Sequence, residues 1–328
     1  MHRELLEDIG EKELIKRLGM FMPANQISDD CALIKTQSKN LLVNNDALVE
    51  NVHFNDSIIS PKDLGWKAVL CNISDLLSSG SEKIIGITIA LILPSNTEWR
   101  WIEELYKGIN QALKQYGGVI IGGDCSLGNE KVISITAIGM QGELELRRDA
   151  CKPGEIILTT GIHGLSRLGF MIKSQKNLDK NIFLSQRLIK KSIEHFCRPK
   201  VDPNFLKNLL ITRTSKKITK IGCTDSSDGL FEAVKDLTLA SDCKAIINYG
   251  EIPKDRDWPD GDEWDNYYFF GGEDYELVFS LPEEWANRLI KLDDNIKKIG
   301  YFADGQSSVV FSDPLKNKLL KFRPFKHF

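Results

Sequence analysis

A two-domain α/β fold is what the sequence predicts. Short apolar runs and amphipathic helical segments interleave along the whole chain, the pattern of mixed sheet and helix layers. The 328 residues suffice for two domains of ordinary size, and with 42% hydrophobic and 27% charged residues the chain can bury a core and is not disordered. Each half also carries an acidic loop at the end of a strand-like run. The polar stretch QGELELRRDACKPG, residues 141–154, marks the boundary, with an N-terminal domain over 1–142 and a C-terminal domain over 143–328.

The first 19 residues, charged throughout, read as an amphipathic helix, followed by the loop MFMPANQ. Asp29 and Asp30 precede a short strand, residues 31–34. On extended chain one of the pair faces a site and the other solvent. Leu41, Leu42 and Val43 begin a second strand, which runs into Asn44, Asn45 and Asp46 where a buried strand should stay apolar. Three oxygen-bearing side chains at a strand end suit a hard cation such as magnesium, and also suit an Asx-rich turn. His53 follows between Val52 and Phe54. Ser60 and Pro61 open a helix as N-cap and first helical residue, and Gly80 closes it. Its apolar stripe is Trp66, Val69, Leu70, Ile73, Leu76 and Leu77. Asp75 lies beside that stripe in the last turns, where the helix dipole favours cations, so a functional role explains it better than a structural one. Asn72 is one turn before it on the same face.

Residues 84–93 form a buried strand, 97–116 a helix ended by Gly117 and Gly118, and 119–121 a third strand running into GGDCSLG, where Gly122 and Gly123 before Asp124 let backbone approach a ligand closely or else form a simple turn. A fourth strand covers 132–140. In the second half, 155–160 is a strand, Gly161 and Gly164 make a turn, and helical segments continue to His195. A break at 198–203 precedes a helix over 204–212. Asp225 ends a short strand, and Ser226 or Ser227 caps a helix that starts near Asp228, where the dipole favours an acid. Residues 244–249 are a strand. GGEDYELVF, residues 271–279, is a double glycine, then acids, then a strand. A helix over 283–292 and strands near Ile299 and Val309 complete the order, and the tail FRPFKHF is aromatic and basic.

Composition excludes several function classes. A net charge of −3 and a pI near 6.0 give no reason to expect nucleic acid or an anionic membrane as partner. Seven cysteines, an odd number with no C-x-x-C pair, are neither a zinc site nor a disulfide framework and fit a reducing cytoplasm. The N-terminus lacks the apolar core of a signal peptide, and the longest apolar run, 84–93, is half a membrane span. A soluble cytoplasmic protein is expected. Asp30, Asp46, Asp75, Asp124, Asp225 and Asp228 would repel one another if gathered, unless several divalent cations lay between them. Carboxylates with several Mg²⁺ describe a site for nucleotide phosphates. Neither a Walker A motif nor a kinase glycine loop is present, so the nucleotide fold is a different one.

Taken together, SDDCALI, NNDALVENVHF, GWKAVLCNISDLLSSG, IIGGD, RDACKPGE, TDSSDGL and GGEDYELVF resemble the thiamine-monophosphate kinase family, of the superfamily of aminoimidazole ribonucleotide synthetase and selenophosphate synthetase. Their order and spacing match over essentially the whole chain. The resemblance implies an N-terminal half that gives strands to a barrel shared across a homodimer, a C-terminal α/β layer, and ATP with several Mg²⁺ between them. By position, metal-ligand roles fall on Asp30, Asn44, Asn45, Asp46, Asp75, Asp124, Asp225 and Asp228. ATP contacts fall on Gly123, Asp124, Arg148 and Ser227, and substrate contacts on His53, Glu273 and Phe325. The implied reaction is ATP-dependent phosphorylation of thiamine monophosphate, with no residue assigned as general base. The sequence departs from the family at Ser28, usually Gly, at Asn44 and Asn45, usually hydroxyl residues, and at Cys125, usually Thr. Alternatives are another ATP-dependent synthetase of the superfamily, or a non-catalytic nucleotide-binding homologue. A selenophosphate synthetase would carry a reactive Cys and Lys in an N-terminal glycine-rich loop, which is absent here.

Stacking of Phe325 on the thiazolium or pyrimidine is worth roughly 0.5–2 kcal/mol by cation–π estimates. Phe325→Ala should therefore raise the KM for thiamine monophosphate and leave that for ATP nearly unchanged. Steady-state kinetics with each substrate varied in turn checks this, and equal effects on both would mean a disturbed fold instead.

Overall fold

The computed structural model describes residues 13–21, 29–174 and 184–321. Ser28 and Phe325 lie outside the described residues, as does most of the expected N-terminal helix, of which residues 13–18 are helical. The first half builds a sheet from β1 (Ala32–Ile34), β2 (Leu41–Val49), β3 (Ser81–Leu93), β4 (Val119–Leu127) and β5 (Val132–Gln141), in the order β1-β2-β5-β3-β4. All pairs are antiparallel except β3 with β4. Among the described residues of the one chain this sheet is open and does not close into a barrel. Its edges are β1 and β4.

Helices α1 (Pro61–Ser78) and α2 (Trp99–Tyr116) accompany that sheet. Ser60 caps α1 as expected, its hydroxyl accepting from the Asp63 amide at 3.1 Å. The apolar stripe of α1 packs on Ile87, Ile89, Ile133, Ile135 and Ala137 of the sheet. The helix is more deeply enclosed than a one-faced stripe implies, and even Lys67 is only 2% exposed. Two glycines permit this. A Cβ on Gly65 would stand 2.1 Å from the Leu105 carbonyl, and one on Gly108 would stand 1.8 Å from that of Lys62, so α1 and α2 cross with backbones in contact. The helix also meets the second half, where the Trp66 indole donates to the Pro199 carbonyl at 2.8 Å and the Ser74 hydroxyl donates to Asp225 at 2.6 Å.

The second half contains β6 (Glu145–Arg147), β7 (Ile156–Thr159), β8 (Lys220–Asp225), β9 (Lys244–Ile247), β10 (Leu277–Leu281), β11 (Lys297–Ala303) and β12 (Ser308–Phe311), in the order β12-β9-β11-β7-β10-β8-β6. Its helices are α3 (Leu165–Ser174), α4 (Gln186–Cys197), α5 (Phe205–Thr212), α6 (Leu230–Ala240), α7 (Asp262–Phe270) and α8 (Glu283–Leu292). Central strands β7 and β10 are buried at every position, as in a sheet covered on both faces. Alternation along them sorts the core. Ile157 and Val278 join residues of α6 and α7, whereas Leu158 and Phe279 join residues of α5 and α8.

Several expectations need correction. The GGD segment is no turn: Gly122, Gly123 and Asp124 lie inside β4, next to a register shift against β3. A Cβ on Gly123 would meet the Ile89 carbonyl at 1.9 Å, so glycine there serves close strand approach at a bulge. Helix α6 begins at Leu230 with Gly229 as its N-cap, so neither Ser226 nor Ser227 caps it and Asp228 precedes its first turn. Helix α7 has no counterpart among the expected elements; its aromatic run, WDNYYFF, lacks a clean apolar stripe. Asp29 does not face solvent, because residues 29–31 are bent rather than extended and strand alternation does not apply to them.

Candidate active site

Four acids meet where α1, β2, β8 and the bend before β1 converge. Carboxylate oxygens of Asp30, Asp75 and Asp225 all lie within 4.8 Å of one another. Each is held by a neighbour. Asp30 pairs with the Arg148 guanidinium and accepts from Ser78 at 2.9 Å and Thr224 at 3.1 Å. Asp75 accepts from the Asn44 amide at 2.8 Å. Asp225 accepts from Ser74 at 2.6 Å and Ser227 at 2.8 Å. The Ser74 bond joins α1 to β8, and thus the first half to the second. Asp46 is the fourth acid, close enough to Asp30 and Asp228 that their charges act on it.

Asn44 and Asp46 share the face of β2 turned to α1, and Asn44 also donates to Asn72 at 3.2 Å. Its side-chain carbonyl oxygen is buried without a hydrogen-bond partner among the described residues. Asn45 points to the opposite face and donates to Thr136 and Ser134 on β5 at 2.9 and 3.1 Å. The structure therefore does not bring the Asn45 side chain to the cluster, because successive strand residues alternate faces. Gly123 and Asp124 are also apart. Asp46 registers with Ile135, Ile135 with Ile89 and Ile89 with Gly123, three strand spacings or about 14 Å across the sheet. Asp124 is exposed and accepts from Ser126 at 3.0 Å.

Beside the cluster lies a pocket of about 370 Å³ whose lining includes Asp46, Asp75, Asp228, Ser227, His53 and Glu273. Its other walls are Phe170, Phe270, Tyr275 and Arg167, none of them singled out by the sequence. They come from two stretches far apart in the chain, residues 167–170 and 270–275, and only Tyr275 lies in a motif, GGEDYELVF, that the sequence marks. His53 accepts from the Val49 amide at 3.1 Å through Nδ1. Glu273 pairs with buried Lys67 at 2.8 Å. Glu273 and Tyr275 have φ of +68° and +55°, a left-handed backbone costly for side-chain-bearing residues. Asp274 between them holds the turn by accepting from the amides of Gly164 and Ser166. A larger groove of about 890 Å³, lined by Lys35, Arg147, Lys152, Lys217 and Lys220 among others, contains none of the clustered acids.

Crowding sets the protonation of these groups. Burial, then the neighbouring acids, raises Asp75 well above the usual carboxylate range. Burial and Asp30 push Asp225 up to about 6, and burial with Asp30 and Asp228 does the same to Asp46. Burial raises Asp29 and Asp274 to about 7 and Glu276 to about 8. A cluster of this kind invites a cation, since cation binding removes the repulsion that raises the pKa values.

Residues 28–141 match the family described as AIR synthase related protein, N-terminal domain. The chain is 40% identical over 326 residues to thiamine-monophosphate kinase of Prochlorococcus marinus, covering 99% of this chain and 98% of that one. It is 34% identical over 289 residues to the Synechococcus elongatus thiamine-monophosphate kinase, covering 88% and 86%. Among solved structures, AaThiL complexed with AMPPCP and TMP matches with a TM-score of 0.84 at 27% identity over 100% of both chains.

Raised carboxyl pKa values mean that the folded protein binds protons the unfolded chain has released, so stability falls as pH rises through the folded values. Buried His163 and His195, lowered by burial to about 3 and about 4, act in the opposite sense only up to the ordinary histidine value near 6.5. Above that, Asp29, Asp274, Glu276 and Asp75 set the sign. With a chelator present, the melting temperature should fall by several degrees between pH 6.5 and pH 8. A rise measured by calorimetry over that window would contradict the assignment.

Proposed function

The chain belongs to the thiamine-monophosphate kinase family, and we propose that it makes thiamine diphosphate by direct, magnesium-assisted transfer of the γ-phosphoryl group of ATP. The observation that carries this reading is the convergence of carboxylates from both halves beside a pocket with aromatic walls. A phosphate oxygen of thiamine monophosphate attacks the γ-phosphorus, the bond to the β–γ bridging oxygen breaks, and ADP leaves. The acceptor oxygen is already deprotonated near neutral pH, so no residue acts as general base.

The donor set fits magnesium: clustered hard oxygens, raised carboxyl pKa values and the unpartnered Asn44 carbonyl oxygen all favour a hard cation. Asp30, Asn44, Asp46, Asp75, Asp225 and Asp228 would hold the ions. Bound magnesium would supply neutralisation of the phosphate charge and keep donor and acceptor oxygens in line. Arg148 and Ser227 contact ATP. His53 and Glu273 line the pocket for thiamine monophosphate; Phe325, outside the described residues, is the third contact the family resemblance implies. Burial of both reactants between the halves would exclude water from the transfer.

Gly123 and Asp124 enter through a homodimer. Strand β4 ends the sheet, and Val119, Ile121 and Leu127 on it are exposed. An edge with such residues is suited to pairing with a second copy. A barrel shared between two chains would complete the open sheet and carry Asp124 to the partner's cluster. The location proposed is the cytoplasm, in keeping with seven free cysteines. No described helix is long and apolar enough to cross a membrane.

Asp46→Asn and Asp225→Asn should each lower turnover by at least ~10²-fold, the scale of losing a group that stabilises transition-state charge. Their melting temperatures without Mg²⁺ should hold or rise, because one repelling charge is gone; a clear fall would make these acids structural. Free thiamine should not be phosphorylated, since a hydroxyl acceptor needs a base, and chelation should abolish activity. Turnover of thiamine at the rate of its monophosphate would overturn the mechanism.

Mixing inactive Asp124→Asn protein with inactive Asp46→Asn protein tests action across the dimer. Subunit exchange should restore about a quarter of wild-type activity, the share of intact sites when subunits reassort at random. No recovery after verified exchange would place Asp124 in its own chain's site or outside both.

A further inference from the structure

We propose that Arg167 grips the phosphate of the acceptor and is the residue through which this pocket distinguishes thiamine monophosphate from thiamine. The inference rests on the function proposed above. It starts from the charges on the pocket lining. Asp46, Asp75, Asp228 and Glu273 supply carboxylates, and among the described residues Arg167 is the only Lys or Arg side chain on that lining. Lys67 lies behind the wall, but its ammonium is engaged by Glu273 at 2.8 Å and stacked 4.3 Å from the Phe196 ring centroid. Arg148 serves Asp30 on the far side of the cluster.

Arg167 stands in the first turn of α3 and is exposed. Its stem is fixed by backbone. A Cβ on Gly271 would stand 2.7 Å from Arg167 Cβ and 3.2 Å from its Cγ. The same glycine segment packs on the loop that follows β8: a Cβ on Gly229 would meet the Gly271 carbonyl at 3.0 Å, and one on Gly272 would meet that of Ser227 at 2.4 Å. Arg167 is therefore held alongside Ser227 and Asp228, at the phosphate end of the pocket. Its guanidinium lies 5.4 Å from the Phe170 ring centroid, and among the described residues no carboxylate is within ion-pair distance of it. Arg147, Arg148, Arg187, Arg198, Arg213 and Arg288 all have such partners.

An arginine left without an acid in a site crowded with acids keeps its fork of N–H donors for a ligand. That fork matches phosphate oxygens two at a time. Thiamine monophosphate carries both signs of charge, a phosphate and a thiazolium. Arg167 attracts the first and repels the second, while the Phe170 and Phe270 rings and Glu273 favour the cation. The pocket thus orients the acceptor with its phosphate toward the metal ligands. Thiamine lacks the group that Arg167 binds.

Arg167→Gln should raise the KM for thiamine monophosphate about tenfold, the scale of one charged hydrogen-bonded contact, with kcat and the KM for ATP little changed. Arg167→Lys should recover part of the loss. The discriminating measurement is calorimetric binding without nucleotide. The Gln variant should bind thiamine monophosphate more weakly and thiamine as wild type does. Equal weakening of both ligands would mean that Arg167 only shapes the pocket, and no weakening of either would remove it from the site. Wild-type protein that binds thiamine monophosphate yet transfers nothing from ATP would count against the proposed function alone, while the binding comparison would still decide the role of Arg167.

Discussion

Repulsion among buried carboxylates is the constraint on which the rest of this molecule depends. Placing Asp30, Asp75 and Asp225 within 4.8 Å of one another is unfavourable in any protein without compensating charge. The fold meets part of that cost with fixed donors: Arg148 and Thr224 on Asp30, Asn44 on Asp75, and Ser74 and Ser227 on Asp225. None of these donors is a lysine, whose ammonium could occupy a cation's position. The remaining imbalance is expressed as raised carboxyl pKa values, which a cation among the acids would relieve.

Helix α1 holds that arrangement in place. Its backbone contact with α2 through Gly65 and Gly108 fixes its depth, and the helix also reaches Pro199 and Asp225 in the second half. Moving α1 by an ångström would shift Ser74, Asp75 and Ser78 together. The acid cluster and the packing between halves are therefore coupled, and rigidity of the helix is part of what the site requires.

The second half contributes a strained edge to the same pocket. Left-handed backbone at Glu273 and Tyr275 is maintained because Asp274 is locked onto the start of α3 and the Tyr275 hydroxyl meets Cys71 Sγ at 2.8 Å. That conformation directs Glu273 at Lys67 and brings Gly271 and Gly272 against the Ser227 loop. Strain of this type persists where surrounding contacts over-determine it, and here they lie along the pocket wall.

Much of this was legible in the sequence. Apolar period and caps placed α1, the long strands and α8, and an acid near a helix C-terminus marked Asp75 as functional before any contact was known. Local signals reached no further than local geometry. Strand alternation separates Asn44 from Asn45, yet only the pairing of β2 with β5 and its packing on α1 decided which of them faces the acids. GGD reads as a turn because glycine favours turns, and only the bulged approach of β4 to β3 made it an edge strand. Residue types by themselves pointed to the chemistry expected, since carboxylates and amide oxygens at strand ends suit a hard cation. Tertiary structure decided which oxygens meet, that the arginine lining the pocket remains without an acid and where the sheet is left open. The physical reason is that all three depend on contacts between segments far apart in the chain, which no local propensity encodes.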